Sequence, residues 1–194
     1  MKIVLKEPIL RSYQQLVSEW NEKINLVSRN SMVDFWEKHI VESLLYTDHI
    51  QGNAVLDLGS GAGLPGIPLA IQLSEVHFYL IESREKRAWF LRETVQALQL
   101  TNVTVLNSTV TPTSEKIIPN GFTTVVARAF GELRQLYHLL KDQLSENGKI
   151  VTVKGEGVDG EIKRLNSKYK HVNLETTPHP NSSTRFFISL SNSK

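Results

Sequence analysis

The sequence predicts an α/β fold: a doubly wound, mostly parallel sheet of about seven strands with an antiparallel edge hairpin, preceded by amino-terminal helices. Three observations predict it. From Asn53 onward, short runs rich in β-branched residues alternate with segments of helical length, which is the pattern of parallel strands joined by crossover helices. The first run leads into four glycines within eight positions, Gly59 to Gly66, as expected where a strand turns into a helix against a ligand. Before Asn53 the apolar residues recur at helical spacing.

Taken in order, Ile9, Leu10, Tyr13, Leu16, Val17, Trp20 and Ile24 share a helical stripe, and Phe35, Trp36, Ile40, Leu44 and Leu45 form a second. Aromatic residues at that spacing are core residues, so Trp20 and Trp36 are expected inside, with His39 helping to dock the helices. The runs VLDL, VHFYLIE, NVTVLN, FTTVVARAF and KIVTVK are strands. Ser83 is positioned to cap a helix carrying Ala88, Phe90, Leu91, Val95 and Leu98. A further helix spans Glu132 to Leu144, stopped near Asn147-Gly148. A polar helix near Val158 to Ser167 leads to HVNLET and, past two prolines, to RFFISL, which pair as the edge hairpin. The expected organisation is a helical extension, residues 1–50, packed on one continuous globular unit, residues 51–194.

Composition narrows the function. With 194 residues, 40% hydrophobic and 22% charged, the chain suits one soluble domain. It contains no apolar run of membrane-spanning length. Only three apolar residues precede Lys6 in the amino-terminal run, too few for a secretion signal, and the location expected is cytoplasmic. There is no cysteine, and the histidines form no metal-binding pair on a helix face, so no metal is expected. The net charge of +2 names no partner, although Lys149 to Lys170 hold six basic residues against three acids.

The glycine loop fits two registers. Gly61-Ala62-Gly63-Leu64-Pro65-Gly66 satisfies the dinucleotide pattern G-x-G-x-x-G, while Asp57 to Gly63 satisfies D-x-G-x-G-x-G. Either leaves Glu82, at the end of the second strand, about 20 residues downstream, where a carboxylate accepts ribose hydroxyl protons. Asp57 favours the second register. Beside a pyrophosphate its charge costs on the order of 1 kcal/mol, whereas the sulfonium and ammonium of S-adenosylmethionine attract it. Gly59, Gly61 and Gly63 then leave backbone amides for the methionine carboxylate. A tight turn capped by Asp57 is the plainer alternative.

Around this loop the sequence resembles the small-subunit ribosomal RNA guanine-N7 methyltransferase family, also called glucose-inhibited division protein B. DLGSGAGLPGIPLAI resembles its extended glycine motif, WNEKINLVS (Trp20 to Ser28) its amino-terminal W-N-x-x-x-N-L-T-S, and KHIVES its R-H-I-x-D-S. ARAF (Ala127 to Phe130) resembles S-R-A-F, and VKG (Val153 to Gly155) resembles L-K-G. The resemblance implies a Rossmann-like class I methyltransferase fold and S-adenosylmethionine as cofactor. It implies that Gly59 and Leu64 line the methionine end, that Val110 and Thr111 flank the adenine, and that Arg128 borders the cofactor. Thr111 stands where the family usually has an acid, and Thr184-Arg185-Phe186 stands for E-R-H.

The implied substrate is a guanine of 16S ribosomal RNA, free or in a small-subunit assembly intermediate, and the implied enzyme is a monomer. Guanine N7 carries a lone pair and no proton, so methyl transfer to it needs orientation rather than a general base, and no catalytic acid or base is assigned. Arg128, Lys154, Lys163, Arg164 and Arg185, with Lys168 and Lys170, are candidate RNA contacts. For Arg128 the alternative is a salt bridge to Glu132. The remaining functional alternatives are a NAD-dependent oxidoreductase, for which no Tyr-Lys or His-acid pair is evident, and a non-catalytic RNA-binding accessory protein.

Overall fold

The computed structural model describes residues 5–192. Residues 1–4, which begin the stretch read above for a secretion signal, lie outside the described residues. Seven strands form one sheet in the order β3-β2-β1-β4-β5-β7-β6: β1 Ala54–Leu58, β2 His77–Ile81, β3 Val103–Leu106, β4 Phe122–Ala127, β5 Leu144–Lys154, β6 Val172–Pro178 and β7 Phe186–Asn192. The pairs β1–β2, β2–β3 and β4–β5 are parallel, and β7 runs antiparallel to both β5 and β6. This is the expected doubly wound sheet with its edge hairpin. No helix among the described residues is long and apolar enough to cross a membrane. Two compact units divide the chain, Met1–Thr109 and Val110–Lys194.

In the first unit, helix α1 (Glu7–Asn21) has Pro8 in its first turn, where no amide is needed, and buries Leu10, Tyr13 and Val17. Ser28 caps the short α2 (Arg29–Val33) by accepting from the Ser31 amide at 3.2 Å. The second apolar stripe is helical but irregular: a π-helix, Trp36–Val41, then α3 (Glu42–Leu44), then a 3-10 turn, Leu45–His49. The Ser43 hydroxyl donates to the His39 carbonyl at 2.5 Å, competing for an acceptor of the helical ladder.

The two tryptophans expected in the core are only half-buried. Trp36 lies 3.5 Å beneath the Arg11 guanidinium, and Trp20 meets Trp89 and Phe90 edge-on. A ring covered by a cation or by another ring is shielded without being enclosed. His39 is half-buried and packs edge-on against Phe35.

Strand β1 is followed by a turn and then α4 (Gly66–Gln72), every residue of which is buried. Helix α5 (Glu85–Ala97) buries Ala88, Phe90, Leu91 and Thr94. The expected Ser83 cap is not formed. Its hydroxyl lies 3.5 Å from Glu82 Oε1, and that same oxygen accepts from the Arg84 amide at 2.8 Å. Helix α5 begins one residue later than such a cap requires, with Arg84 at the N-cap position and no side-chain cap.

In the second unit, β4 ends at Ala127, short of the expected Phe130, because Ala129 adopts φ +56° and turns the chain. Helix α6 covers only Leu133–Leu140, followed by a 3-10 turn, Lys141–Gln143. Asn147-Gly148 therefore lies inside β5 and stops no helix. Tertiary contacts overrule the local signal: buried Gln143 accepts from the Ile117 amide and donates to the carbonyls of Ser114 and Glu115. Gly148 serves close backbone approach, since a Cβ there would lie 2.3 Å from the Phe122 carbonyl oxygen, beside the register shift between Phe122 and Thr124. Helix α7 (Val158–Lys168) then leads to the hairpin.

Gly121 combines φ +69° with a would-be Cβ only 2.5 Å from the Leu144 backbone. Gly121→Ala is expected to lower stability by about 2–4 kcal/mol through strain and overpacking, read as a lower urea midpoint at unchanged slope.

Candidate functional site

The loop between β1 and α4 is built from its own amides. The Ser60 amide donates to the Ile81 carbonyl at 2.9 Å, tying the loop to the end of β2. The Gly63 and Leu64 amides both donate to the Ser60 carbonyl, at 2.7 and 3.0 Å, and the Ser60 hydroxyl donates to the Asp57 carbonyl at 3.0 Å. The Gly61 amide donates to Glu82 Oε2 at 3.0 Å. Most of these N–H groups thus organise the loop, and the Gly61 and Gly63 amides expected to meet a ligand carboxylate already have partners.

The glycines differ in what they permit. Gly59 is exposed, has φ +69° and has nothing within 4 Å of a would-be Cβ, so it leaves open space for a ligand in a backbone conformation that disfavours side chains. Gly63 is a packing position, with Ile67 Cγ1 2.5 Å from its would-be Cβ. Gly66 lets α4 begin directly against β1 and β2: a Cβ would lie 2.3 Å from Leu80 Cδ2 and 2.6 Å from Asp57 Oδ2. Leu64, expected at the ligand, is buried at 6% exposure.

Asp57 departs most from its sequence reading. It is 1% exposed, and its Oδ2 accepts from the Gly66 amide at 3.0 Å. The carboxylate braces the start of α4 from behind the loop, which is the capping role weighed above as the plainer alternative. Glu82 closes β2 at 5% exposure, with one oxygen on Gly61 and the other on Arg84. A carboxylate offers about four acceptor sites; with the Ser83 hydroxyl also 3.5 Å from Oε1, one remains for a ribose hydroxyl, and rotation of Ser83 away frees a second.

A contact without any sequence signature holds the loop from above. The hydroxyl of fully buried Tyr13, on α1, donates to the Ala62 carbonyl at 2.6 Å. Helical spacing marked Tyr13 as core and gave no sign of its hydroxyl's partner. Arg87 was also missed; its Nη1 lies 3.8 Å from a would-be Cβ at Gly61, and its Nη2 donates to the Asn25 carbonyl at 2.7 Å.

The other expected residues belong to the second unit. Val110 is buried, and Thr111 is exposed with its hydroxyl 3.0 Å from that of Ser114. Arg128 is half-buried at the end of β4, immediately before the left-handed Ala129. Lys154 is drawn inward: its ammonium donates to the carbonyls of Phe130 and Gly131 and pairs with Glu161 at 3.0 Å, leaving the side chain 11% exposed. Glu161 in turn accepts from the Leu133 amide at 2.8 Å. Glu132, the suggested partner of Arg128, pairs with Arg164 at 2.9 Å. Lys154 and Arg164 thus brace the loop after β4 and the start of α6 against α7. Lys163, Lys168 and Lys170 are exposed, and Arg185, half-buried, immediately precedes β7.

Among the described residues no three or more His, Cys, Asp or Glu side chains converge to hold a metal ion. What the first unit presents is a glycine turn with open space at Gly59, closed on one side by an acid at the end of the neighbouring strand, the arrangement of nucleoside-bearing ligand sites in α/β sheets.

The sequence model of the rRNA small subunit methyltransferase G family matches residues 6–185. The chain belongs to that family. It is 40% identical over 166 residues to the ribosomal RNA small subunit methyltransferase G of Chlorobium chlorochromatii, covering 84% of this chain and 69% of that protein. It is 36% identical to the protein of the same name from Photobacterium profundum, covering 80% and 74%. Among solved structures, the fold is similar to the glycopeptide N-methyltransferase MtfA complexed with S-adenosyl-L-methionine, with TM-score 0.65 at 13% identity over 80% of this chain and 88% of that one. It is also similar to a SAM-dependent methyltransferase from Aquifex aeolicus, with TM-score 0.56 at 18% identity over 77% and 88%. As a member of this family with a class I methyltransferase fold, the chain is a methyltransferase, and the oxidoreductase reading falls.

Tyr13→Phe removes the donor to a buried carbonyl and is expected to cost about 1–3 kcal/mol. A thermal melt reads the loss, and weaker S-adenosylmethionine binding by calorimetry accompanies it if the loop loosens.

Proposed function

We propose that the protein transfers the methyl group of S-adenosylmethionine to N7 of a guanine in 16S ribosomal RNA, acting in the cytoplasm as a monomer. The observation that carries the cofactor is the pairing of Gly59, open and left-handed, with Glu82 at the end of the adjacent strand. The group fits: a methionine moiety can approach the bare Gly59 backbone, and Glu82 keeps an acceptor site for a ribose hydroxyl, with a second where the Ser83 hydroxyl gives way. When bound, S-adenosylmethionine supplies an electrophilic methyl on a positively charged sulfur.

The chain's own residues hold and orient. Asp57 fixes the first amide of α4, Tyr13 fixes the Ala62 carbonyl, and Glu82 fixes Gly61 while offering its remaining lone pairs. No residue has to remove a proton, because N7 has none; the rate gain comes from alignment and electrostatic surroundings. Val110 and Thr111 are assigned to the adenine and Arg128 to the border of the cofactor through the family motifs alone. Lys163 and Arg185 remain candidate RNA contacts in the second unit.

Labelled methyl from S-adenosylmethionine is expected to enter small-subunit RNA purified from cells lacking the protein, and digestion is expected to release 7-methylguanosine. A methyl group on another atom would overturn the N7 assignment. Glu82→Gln is expected to weaken S-adenosylmethionine binding by about 10–100-fold, the worth of charge-assisted bonds of about 1.5–3 kcal/mol. Calorimetry reads this, with NAD as the non-binding control.

A further inference from the structure

The motif WNEKINLVS folds into one wall of a groove in the first unit. Asn21, at the end of α1, accepts through Oδ1 from the Leu26 and Val27 amides at 2.9 and 3.0 Å, turning the chain back on itself. The Asn25 carbonyl then receives Arg87 of α5. The result is a cavity of about 790 Å³, polar along most of its wall, with Asn21, Asn25, Ser28, Arg29 and Arg87 on its lining. A second cavity of about 370 Å³ shares Asn25 and Arg87 and adds Lys23, Arg84 and Lys86. Five cations, Lys23, Arg29, Arg84, Lys86 and Arg87, stand against two acids, Glu22 and Glu85, in the combined lining.

Two further features give this groove a chemistry. None of Lys23, Arg29, Arg84 and Lys86 enters an ion pair among the described residues, whereas Lys154 and Arg164, nominated by the sequence, are both neutralised. Beside the groove lies an aromatic platform: Trp89 is 53% exposed, sits one helical turn beyond Lys86, and packs edge-on against Trp20, whose ring carries the Lys23 ammonium at 5.5 Å. Unpaired cations flanking an exposed aromatic face are what single-stranded nucleic acid requires, phosphates for the cations and bases for the ring. Arg87 places the groove next to Gly61 of the cofactor loop.

We infer that this groove binds the sugar–phosphate backbone of an unpaired stretch of the substrate RNA, with a base stacked on Trp89. Arg29 and Arg84, with Lys23 and Lys86, contact phosphates; the exposed carboxamide of Asn25, common to both cavities, faces the strand. Arg87 holds the groove together through Asn25. The inference rests on the RNA methyltransferase reading above and adds where that RNA lies.

The test uses the full chain with Lys23, Arg29, Arg84 and Lys86 all changed to Gln, beside a charge-preserving variant (Lys23→Arg, Arg29→Lys, Arg84→Lys, Lys86→Arg) and Trp89→Leu. Steady-state methyl transfer to protein-free small-subunit RNA is measured together with anisotropy of a fluorescein-labelled single-stranded oligonucleotide. Neutralisation is expected to raise KM for RNA about tenfold and to flatten the slope of log affinity against log salt by up to about 3. The kcat and the KM for S-adenosylmethionine are expected to stay within about twofold, the charge-preserving variant to match the wild type, and Trp89→Leu to weaken oligonucleotide binding about tenfold. An unchanged RNA KM and salt slope, or a rise confined to the KM for S-adenosylmethionine, overturns the inference. If the wild type transfers no methyl to this RNA, the functional reading fails instead, and the anisotropy comparison still decides whether the groove binds RNA.

Discussion

The structure of the first unit depends on one buried hydrogen bond, from the Gly66 amide to the Asp57 carboxylate. It joins Asp57, next to the end of β1, to the first residue of α4 and so spans the intervening loop. A carboxyl group that is 1% exposed is costly to bury without hydrogen bonds, and the Gly66 amide supplies one. Gly66 completes the constraint, since any side chain there would collide with the carboxylate and with Leu80.

From that anchor the remaining contacts follow as layers of support. Ser60 ties the loop to the end of β2, Glu82 takes the Gly61 amide, and Tyr13 reaches from α1 to the Ala62 carbonyl. The loop is thereby preorganised before any ligand arrives, which lowers the ordering cost of binding. Among the glycines of this loop, Gly59 is the one with open space in front of it, and the acid that follows the neighbouring strand is Glu82. Chemistry that needs only alignment is well matched to a rigid loop of this kind.

Charge is distributed by a different logic in the second unit. Lys154 and Arg164 sit in a sequence segment rich in cations, yet Lys154 is bound to Glu161 and two carbonyls and Arg164 to Glu132, contacts that fix the connections around β4, α6 and α7. Counting charges along the chain could not separate them from Lys163, because the count carries no information about which acid folds back. The unpaired cations beside an aromatic surface are found in the first unit, distributed between residues 23–29 and 84–87, too far apart in the chain to register as a cluster.

The sequence by itself determined the sheet, its edge hairpin, the glycine turn and the acid that follows it, since alternation of β-branched runs with helical spacing and bare backbone positions are local properties. The cofactor class and family were also legible, from motifs dispersed over nearly the whole chain. Tertiary structure decided the rest. It set the Asp57 carboxylate against the first amide of α4, moved the helix stop from Asn147-Gly148 into a strand irregularity, began α5 after Arg84 with no Ser83 cap, and left Trp20 and Trp36 half outside. The strand irregularity and the cover over the two tryptophans depend on groups that arrive from distant segments, and a buried polar group takes the strongest partner that packing delivers.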